Sequence, residues 1–377
     1  MSKDGNNSNK CPICGRPTHK ESKYCIFNAS AEEKTKKEFK KALKEYVNKI
    51  KKKDKDYDFK KFIFVGKIDF IKDLNITVIK NANFSEATFE GDANFSEVTF
   101  EGDANFKEAI FKENADFWEA TFEGDADFWE ATFERYAGFT EATFKVDAIF
   151  GEVSFKGYTS FGEVNFEGGA NFVEATFEVH ANFAHITFKG NANFAKSTFK
   201  GNANFIMATF KGDADFWEAT FLKNVSLEKI RILPGNKLFL KARNNIEIIS
   251  LERAYLENTY LSIELVEDIL IDFTGALLKN TKIKKGQIEN RILQEKKKKF
   301  YEAQEIYLLL KNNFHSIGQY EDESWAFKKE KEMERLSHSF PYYKKVLKEE
   351  GKIEKFFILK WIGKGNFIKW IISVFQI

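Results

Sequence analysis

Between residues 84 and 221 phenylalanine recurs at alternating intervals of five and six, twenty-six times without a break. The eleven-residue unit is cleanest at Ala93-Asn94-Phe95-Ser96-Glu97-Val98-Thr99-Phe100-Glu101-Gly102-Asp103. Each half reads small, polar, Phe, and residues two apart point the same way on an extended strand. The small residue and the Phe therefore face inward, while Asn, Asp or Thr faces outward. Two polar residues after each Phe turn the chain. Gly91, Gly102, Gly124, Gly190, Gly201 and Gly212 each sit two after a Phe, in the six-residue step. That placement predicts a bulge or left-handed corner there.

Short strands joined by tight corners at a constant period predict a parallel β-helix. A coil of eleven residues would leave no room for two rings, so a coil of about twenty-two is expected, with four sides and four Phe. With strands spaced about 4.8 Å apart, residues 81 to 224 make roughly six and a half coils, about 31 Å long. The beat continues outside the Phe run. Val78 takes the preceding Phe position, and Leu227, Ile232 and Leu238 follow it. After Pro234-Gly235 a five-residue beat appears at Leu251, Leu256 and Leu261, and again at Phe273, Leu278 and Ile283. The solenoid is expected over 58–288, with breaks in phase near residues 73, 234 and 288.

The repeat resembles the pentapeptide-repeat family, in an eleven-residue variant with one added residue per two units. The resemblance implies a mainly β fold, a right-handed quadrilateral parallel β-helix, with α-helical caps expected at both ends. Function within that family is diverse. Some members protect DNA gyrase by presenting a rod of negative charge.

An open end of a β-helix exposes unpaired strand groups and needs a cover. In the segment 30–57, a helix over 31–53 carries Phe39, Leu43, Tyr46, Val47 and Ile50 on one face, with acids leading and lysines trailing. It is expected to cap the first coil. Within 289–340 two helices with a turn at Ser316-Ile317-Gly318-Gln319 cap the other end. Ala303, Tyr307, Gly318, Tyr320 and Ala326 give this pair a likeness to a single tetratricopeptide-style hairpin.

Charge is laid out along the chain in blocks. The net is +2 overall, yet residues 81 to 224 hold 25 acidic and 10 basic residues, and residues 1 to 80 hold 21 basic and 11 acidic. An acidic barrel between basic ends suits an anionic membrane surface or nucleic acid at the ends. It equally suits a solenoid kept soluble by charge.

All three cysteines precede residue 26, which excludes a disulfide framework and, with a polar start, points to a reducing cytoplasm. Cys11-Pro12-Ile13-Cys14-Gly15 reads as half of a zinc knuckle, and residues 1–29 resemble a small zinc-ribbon module. The position three after Cys25, where such a module has its fourth ligand, is Asn28, a poor zinc ligand and a departure from that pattern. The candidate metal ligands are Cys11, Cys14, Cys25 and His19, holding one structural zinc, or else the knuckle is metal-free.

Within the last segment, 341–377, residues 356–377 are apolar and aromatic with spaced lysines. They suit an amphipathic helix in the membrane interface, with Trp361, Lys364, Lys369 and Trp370 as contacts, or else a helix that packs back on the hairpin or on a second subunit. Family members with a similar hairpin continue into transmembrane helices, and this chain resembles one cut off before them.

No catalytic constellation stands out. His180 and His185 lie on the polar edge, and outward acids recur because the unit recurs. Trp118, Trp129 and Trp217 each follow a Phe and should point outward as partner contacts, Trp129 and Trp217 on one face four coils apart. The sequence thus predicts a non-enzymatic scaffold, peripheral to the inner face of the membrane, with an unidentified protein partner. Two other readings stand beside it. One is a nucleic-acid-mimicking regulator of a DNA-binding enzyme such as gyrase. The other is the cytosolic part of a truncated membrane channel or sensor. Nucleic acid itself is the less expected partner.

Overall fold

The computed structural model describes residues 10–53, 55–241, 247–265 and 269–339. Successive two-residue strands wind into four parallel sheets, ten strands deep on two faces and eight on the other two. Register sets the coil length. Ala93 pairs with Ala115, and Thr121 with Thr143, so each coil takes twenty-two residues. The four faces of one turn are met in order at Ala82–Asn83, Thr88–Phe89, Ala93–Asn94 and Thr99–Phe100.

All twenty-six phenylalanines point inward and none is more than 3% exposed. As far as Phe199, each ring stacks on the Phe one coil above, as Phe106 does on Phe128 at 4.8 Å and 1°. Neighbouring columns meet edge to face, as Phe117 and Phe128 do at 5.6 Å and 89°. Both are the arrangements the ring quadrupole favours. Beyond Phe221 the columns continue in aliphatic residues, among them Leu227, Ile232, Leu251 and Leu256, all buried, and Leu240, not the expected Leu238, lies over Phe216.

The corners differ from the sequence expectation. The left-handed residues lie in the five-residue step, at Glu86 (φ 56°), Glu97 (φ 60°), Glu108 (φ 56°) and so on to Glu218 (φ 56°). Each corner is a turn in which the residue after the left-handed one bonds back to the Phe carbonyl, as Val98 N–H does to Phe95 at 3.1 Å. The left-handed N–H itself donates one coil up, Glu97 to Trp118 at 2.8 Å. Asn or Asp before the Phe completes the corner as an Asx turn: Asn94 Oδ1 accepts Ser96 N–H at 2.9 Å. The glycines of the six-residue step have ordinary φ. Space, not backbone angle, selects them, since a Cβ on Gly201 would stand 2.1 Å from the Val179 carbonyl oxygen one coil below.

The three expected breaks in phase have local causes. At the first, a one-turn helix interrupts the coil, Phe70–Leu74, capped by Asp69 Oδ1 accepting Lys72 N–H at 2.8 Å. Its extra residues lengthen the register there to twenty-five, as Ile68 pairs with Ala93. They also shift the phase. Ile79 is the buried residue and Val78 stands 42% exposed, in place of the inward Val78 expected. At Pro234-Gly235 the chain turns with Gly235 at φ 89°, and the register becomes twenty-four, Ala214 to Leu238. Near 288 the strands give way to the short helix Lys285–Ile288.

Helices cover both ends. The first, α1 (Lys36–Lys53), begins later than residue 31 because Thr35 and Glu38 form a capping box: Thr35 Oγ1 accepts Glu38 N–H at 3.2 Å and Glu38 Oε2 accepts Thr35 N–H at 3.0 Å. Its buried face of Phe39, Leu43, Val47 and Ile50 lies on the first coil, Phe39 meeting Phe64 edge to face at 5.6 Å. At the other end Phe300–Ser316 and Tyr320–Ser337 form an antiparallel pair joined through Gly318 at φ 72°.

Candidate metal centre and interaction edges

The N-terminal plug is built from two turns that face each other. In the first, Gly15 N–H donates to Cys11 C=O and Cys11 N–H to Arg16 C=O, both at 2.8 Å, with Gly15 left-handed at φ 68°. In the second, Asn28 and Ala29 N–H return to Cys25 C=O at 3.0 and 2.8 Å. This folding brings together the sulfurs of Cys11, Cys14 and Cys25, all within 4.8 Å of one another. Cys14 and Cys25 Sγ are 3.4 Å apart, and all three thiols are free. A tetrahedral ion with metal–sulfur bonds of about 2.3 Å would space its sulfurs about 3.8 Å apart. The cluster fits such an ion, and three thiols favour a thiophilic one.

Burial opposes a charge on Cys11, but backbone groups of Cys25, Cys14 and Ile13 outweigh it and bring the thiol down to about 7. Burial pushes the Cys25 thiol up to about 12. Cys11 is therefore the readier of the two to be presented as thiolate. His19 is not part of the group. Its Nε2 is buried without a partner elsewhere in the plug, while its backbone N–H bonds Tyr24 C=O at 2.8 Å. Asn28 faces the sulfurs, its Oδ1 3.0 Å from Cys25 Sγ and 3.5 Å from Cys11 Sγ.

The plug is fastened to the first coil. Phe27 stacks on Phe62 at 4.5 Å, and Phe27 C=O accepts Ile63 N–H at 2.8 Å. The Arg16 guanidinium lies over the rings of Phe27, Tyr46 and Phe62, 5.0 to 5.5 Å from their centroids. Buried Lys34 donates to the carbonyls of Ile26, Phe27 and Ile63 at 2.7, 3.2 and 2.8 Å. Neither Arg16 nor Lys34 stands out in the sequence. Their roles depend on an aromatic cluster and an open strand edge that only the fold assembles.

Along the rod, side chains one coil apart form vertical columns. One alternates in sign: Glu90, Lys112, Glu134, Lys156, Glu178 and Lys200, with pairs at 2.9, 2.8 and 2.7 Å. The left-handed corners carry Glu at every step from Glu86 to Glu174, then His185, Lys196 and Met207 before Glu218. The tryptophans precede such corner acids. Trp118 is 39% exposed and its Nε1 donates to Glu141 at 3.4 Å. Trp129 is half-buried against Gly151, where a Cβ would come within 2.3 Å of Cζ3, and its Nε1 donates to Glu130 at 2.8 Å. Trp217 is 41% exposed, with Lys241 Nζ 3.7 Å from its ring centroid. Trp129 and Trp217 follow strands Ala126–Asp127 and Ala214–Phe216, which belong to one sheet, four strands apart. His180 Nδ1 accepts Asn202 N–H at 3.0 Å, and His185 stands at a left-handed corner (φ 58°) in place of Glu.

Trp361, Lys364, Lys369 and Trp370 lie outside the described residues. Among the described residues no helix is long and apolar enough to cross a membrane.

The arrangement defines a four-sided parallel β-solenoid, closed by helices and carrying a thiol cluster in its N-terminal plug. Residues 84–132, 128–176, 150–198 and 183–231 match the family model described as Pentapeptide repeats (9 copies). Residues 84–231 of the solenoid are therefore pentapeptide repeats. No curated protein and no solved structure matches the chain.

Proposed function

We propose that this protein is a non-enzymatic interaction scaffold, a stiff rod whose acidic, tryptophan-bearing corners receive a basic segment of a protein partner. The observation that carries this is intramolecular. Lys241 rests on the face of Trp217 with its ammonium 4.0 Å from Glu218 and 3.4 Å from Glu264. A Trp–Glu corner thus already receives a lysine. Trp118-Glu119 and Trp129-Glu130 repeat the same pair, and Glu97 and Glu141 flank Trp118 one coil below and above. Cation–π and carboxylate contacts together give such a corner its preference for lysine or arginine.

The test is a titration of the full chain with a soluble oligolysine peptide, followed by tryptophan fluorescence at low and high salt. Saturable binding that weakens several-fold in Trp118→Ala supports the reading. Binding indifferent to Trp118 and Trp129, or equal binding of an oligoglutamate peptide, would sink it.

Two further parts complete the picture. The composition of residues 341–377, with Trp361, Lys364, Lys369 and Trp370, supports attachment to an anionic membrane surface from the cytoplasmic side. The full chain should float with anionic vesicles and a chain ending at 340 should not. Equal flotation of both would remove this part. The thiol triad supports one structural zinc ion that steadies the plug, in keeping with a reducing compartment.

A further inference from the structure

Three sulfurs leave one vertex of a tetrahedron to be filled, and an amide oxygen lies against two of them. Asn28 is 4% exposed, and its Oδ1 faces two of the three sulfurs. An amide can present either end, but here the other end is committed. Asn28 Nδ2 donates to the Lys61 carbonyl at 2.7 Å, and Lys61 is held left-handed at φ 58°. Only the oxygen can turn toward the thiols. Metal–sulfur bonds of about 2.3 Å and a metal–oxygen bond of about 2.1 Å call for a sulfur–oxygen edge of about 3.6 Å. The observed edges, 3.5 Å to Cys11 and 3.0 Å to Cys25, are both shorter than that, so the oxygen would draw back from Cys25 to admit the ion.

We propose that the plug holds one zinc-class ion on Cys11, Cys14, Cys25 and Asn28 Oδ1, and that this ion locks the plug onto the open edge of the first coil. The inference rests on the metal reading of the thiol triad and adds the fourth ligand and the mechanical consequence. Asn28 is the joint between the two. One end of its amide meets the ion and the other holds Lys61. Two residues on, Ile63 N–H and C=O are taken by Phe27 C=O and Lys34 Nζ, both at 2.8 Å. These contacts occupy backbone groups that a first strand would otherwise leave unpaired, the groups that invite end-to-end strand pairing. Coordination releases thiol protons, and the ion then fixes both turns that carry these contacts.

The test uses the full chain stripped of metal, titrated with cobalt(II) and zinc(II) chloride, with X-ray absorption on the zinc-loaded form. One ion per chain with three sulfurs and one oxygen is expected. Asn28→Ala should weaken zinc binding by about tenfold or more. Asn28→Cys should convert the cobalt spectrum to that of a four-sulfur site, and this variant decides if Asn28→Ala fails to fold. His19→Ala should change neither affinity nor spectrum. Hydrogen exchange should quicken at Ile63 N–H on metal removal and stay unchanged at Phe139 N–H in the middle of the rod. A histidine signature in the absorption data, equal loss in His19→Ala, or exchange at Ile63 indifferent to metal would overturn the proposal. Absence of any uptake would overturn the metal reading itself, a distinguishable result.

Discussion

The side-chain amide of Asn313 clasps the backbone of Thr281, accepting its N–H and donating to its C=O, both at 2.9 Å. Asn313 is 2% exposed and Thr281 fully buried, so no water can replace either bond. The clasp lets the C-terminal helices satisfy the last coil as Asn28 satisfies Lys61 at the other end. Asn313→Ala should cost about 2–4 kcal/mol, because two buried backbone groups lose their partner. The loss should appear as faster hydrogen exchange at Thr281 and Leu278, with the rod's middle unaffected. Uniform change along the rod would show that the clasp is not local.

The corners invert the usual reading of glycine. Glu152 is left-handed at φ 52°, a conformation that costs an L-residue about 1–2 kcal/mol. Glu152→Gly should therefore be neutral or slightly stabilising in thermal denaturation. Gly201→Ala should destabilise by about 1–3 kcal/mol through its contact with the Val179 carbonyl. The reverse order would show that backbone angle, not coil spacing, selects these glycines.

Lys34 sets a pH dependence. Burial brings its ammonium down from 10.5 to about 7, partly offset by Cys25, Glu33 and Glu90. Between pH 7 and 10.5 the unfolded chain therefore binds more protons than the folded one, so Lys34 makes stability rise with pH across that window. Denaturant midpoints taken from pH 7 to 10 should climb in the wild type and climb less in Lys34→Met. Equal slopes would place the titration elsewhere.

The alternating column should be salt-sensitive and weak. Glu178→Lys would place three lysines in succession at 156, 178 and 200, at an expected cost of under about 1 kcal/mol at low salt that fades at 1 M. A larger or salt-independent loss would mean that Glu178 contributes packing rather than charge.

Much of the fold was legible because the repeat makes one local decision many times over. The Phe spacing predicts a twenty-two-residue coil, and the register and the buried ring columns agree with it. The same logic misleads where the signal is single. Val78 continues the beat on paper, but the one-turn helix before it hands the inward position to Ile79. A lysine-rich stretch hides the true start of α1, although the Thr35-Lys36-Lys37-Glu38 capping signature is present in the chain. Glycine in the six-residue step predicts a left-handed corner, because in an isolated turn backbone angle is the usual constraint. In a stack, the distance to the coil below is the tighter one.

By itself the sequence determined the architecture: period, sidedness, coil size and the existence of covered ends all follow from which residues must leave water. It also singled out three thiols close enough along the chain to share an ion. The spacing after Cys25 also pointed to Asn28, but the folded chain alone shows its amide oxygen against two of the sulfurs and its amide nitrogen tied to the first coil. Asn28 reaches the sulfurs because its amide is pinned by Lys61, thirty-three residues away, and no spacing rule encodes a contact made by a different coil. The same holds for Lys241 on Trp217: hydrophobic period says that the ring points outward, and only the stacking of coils brings the cation to its face.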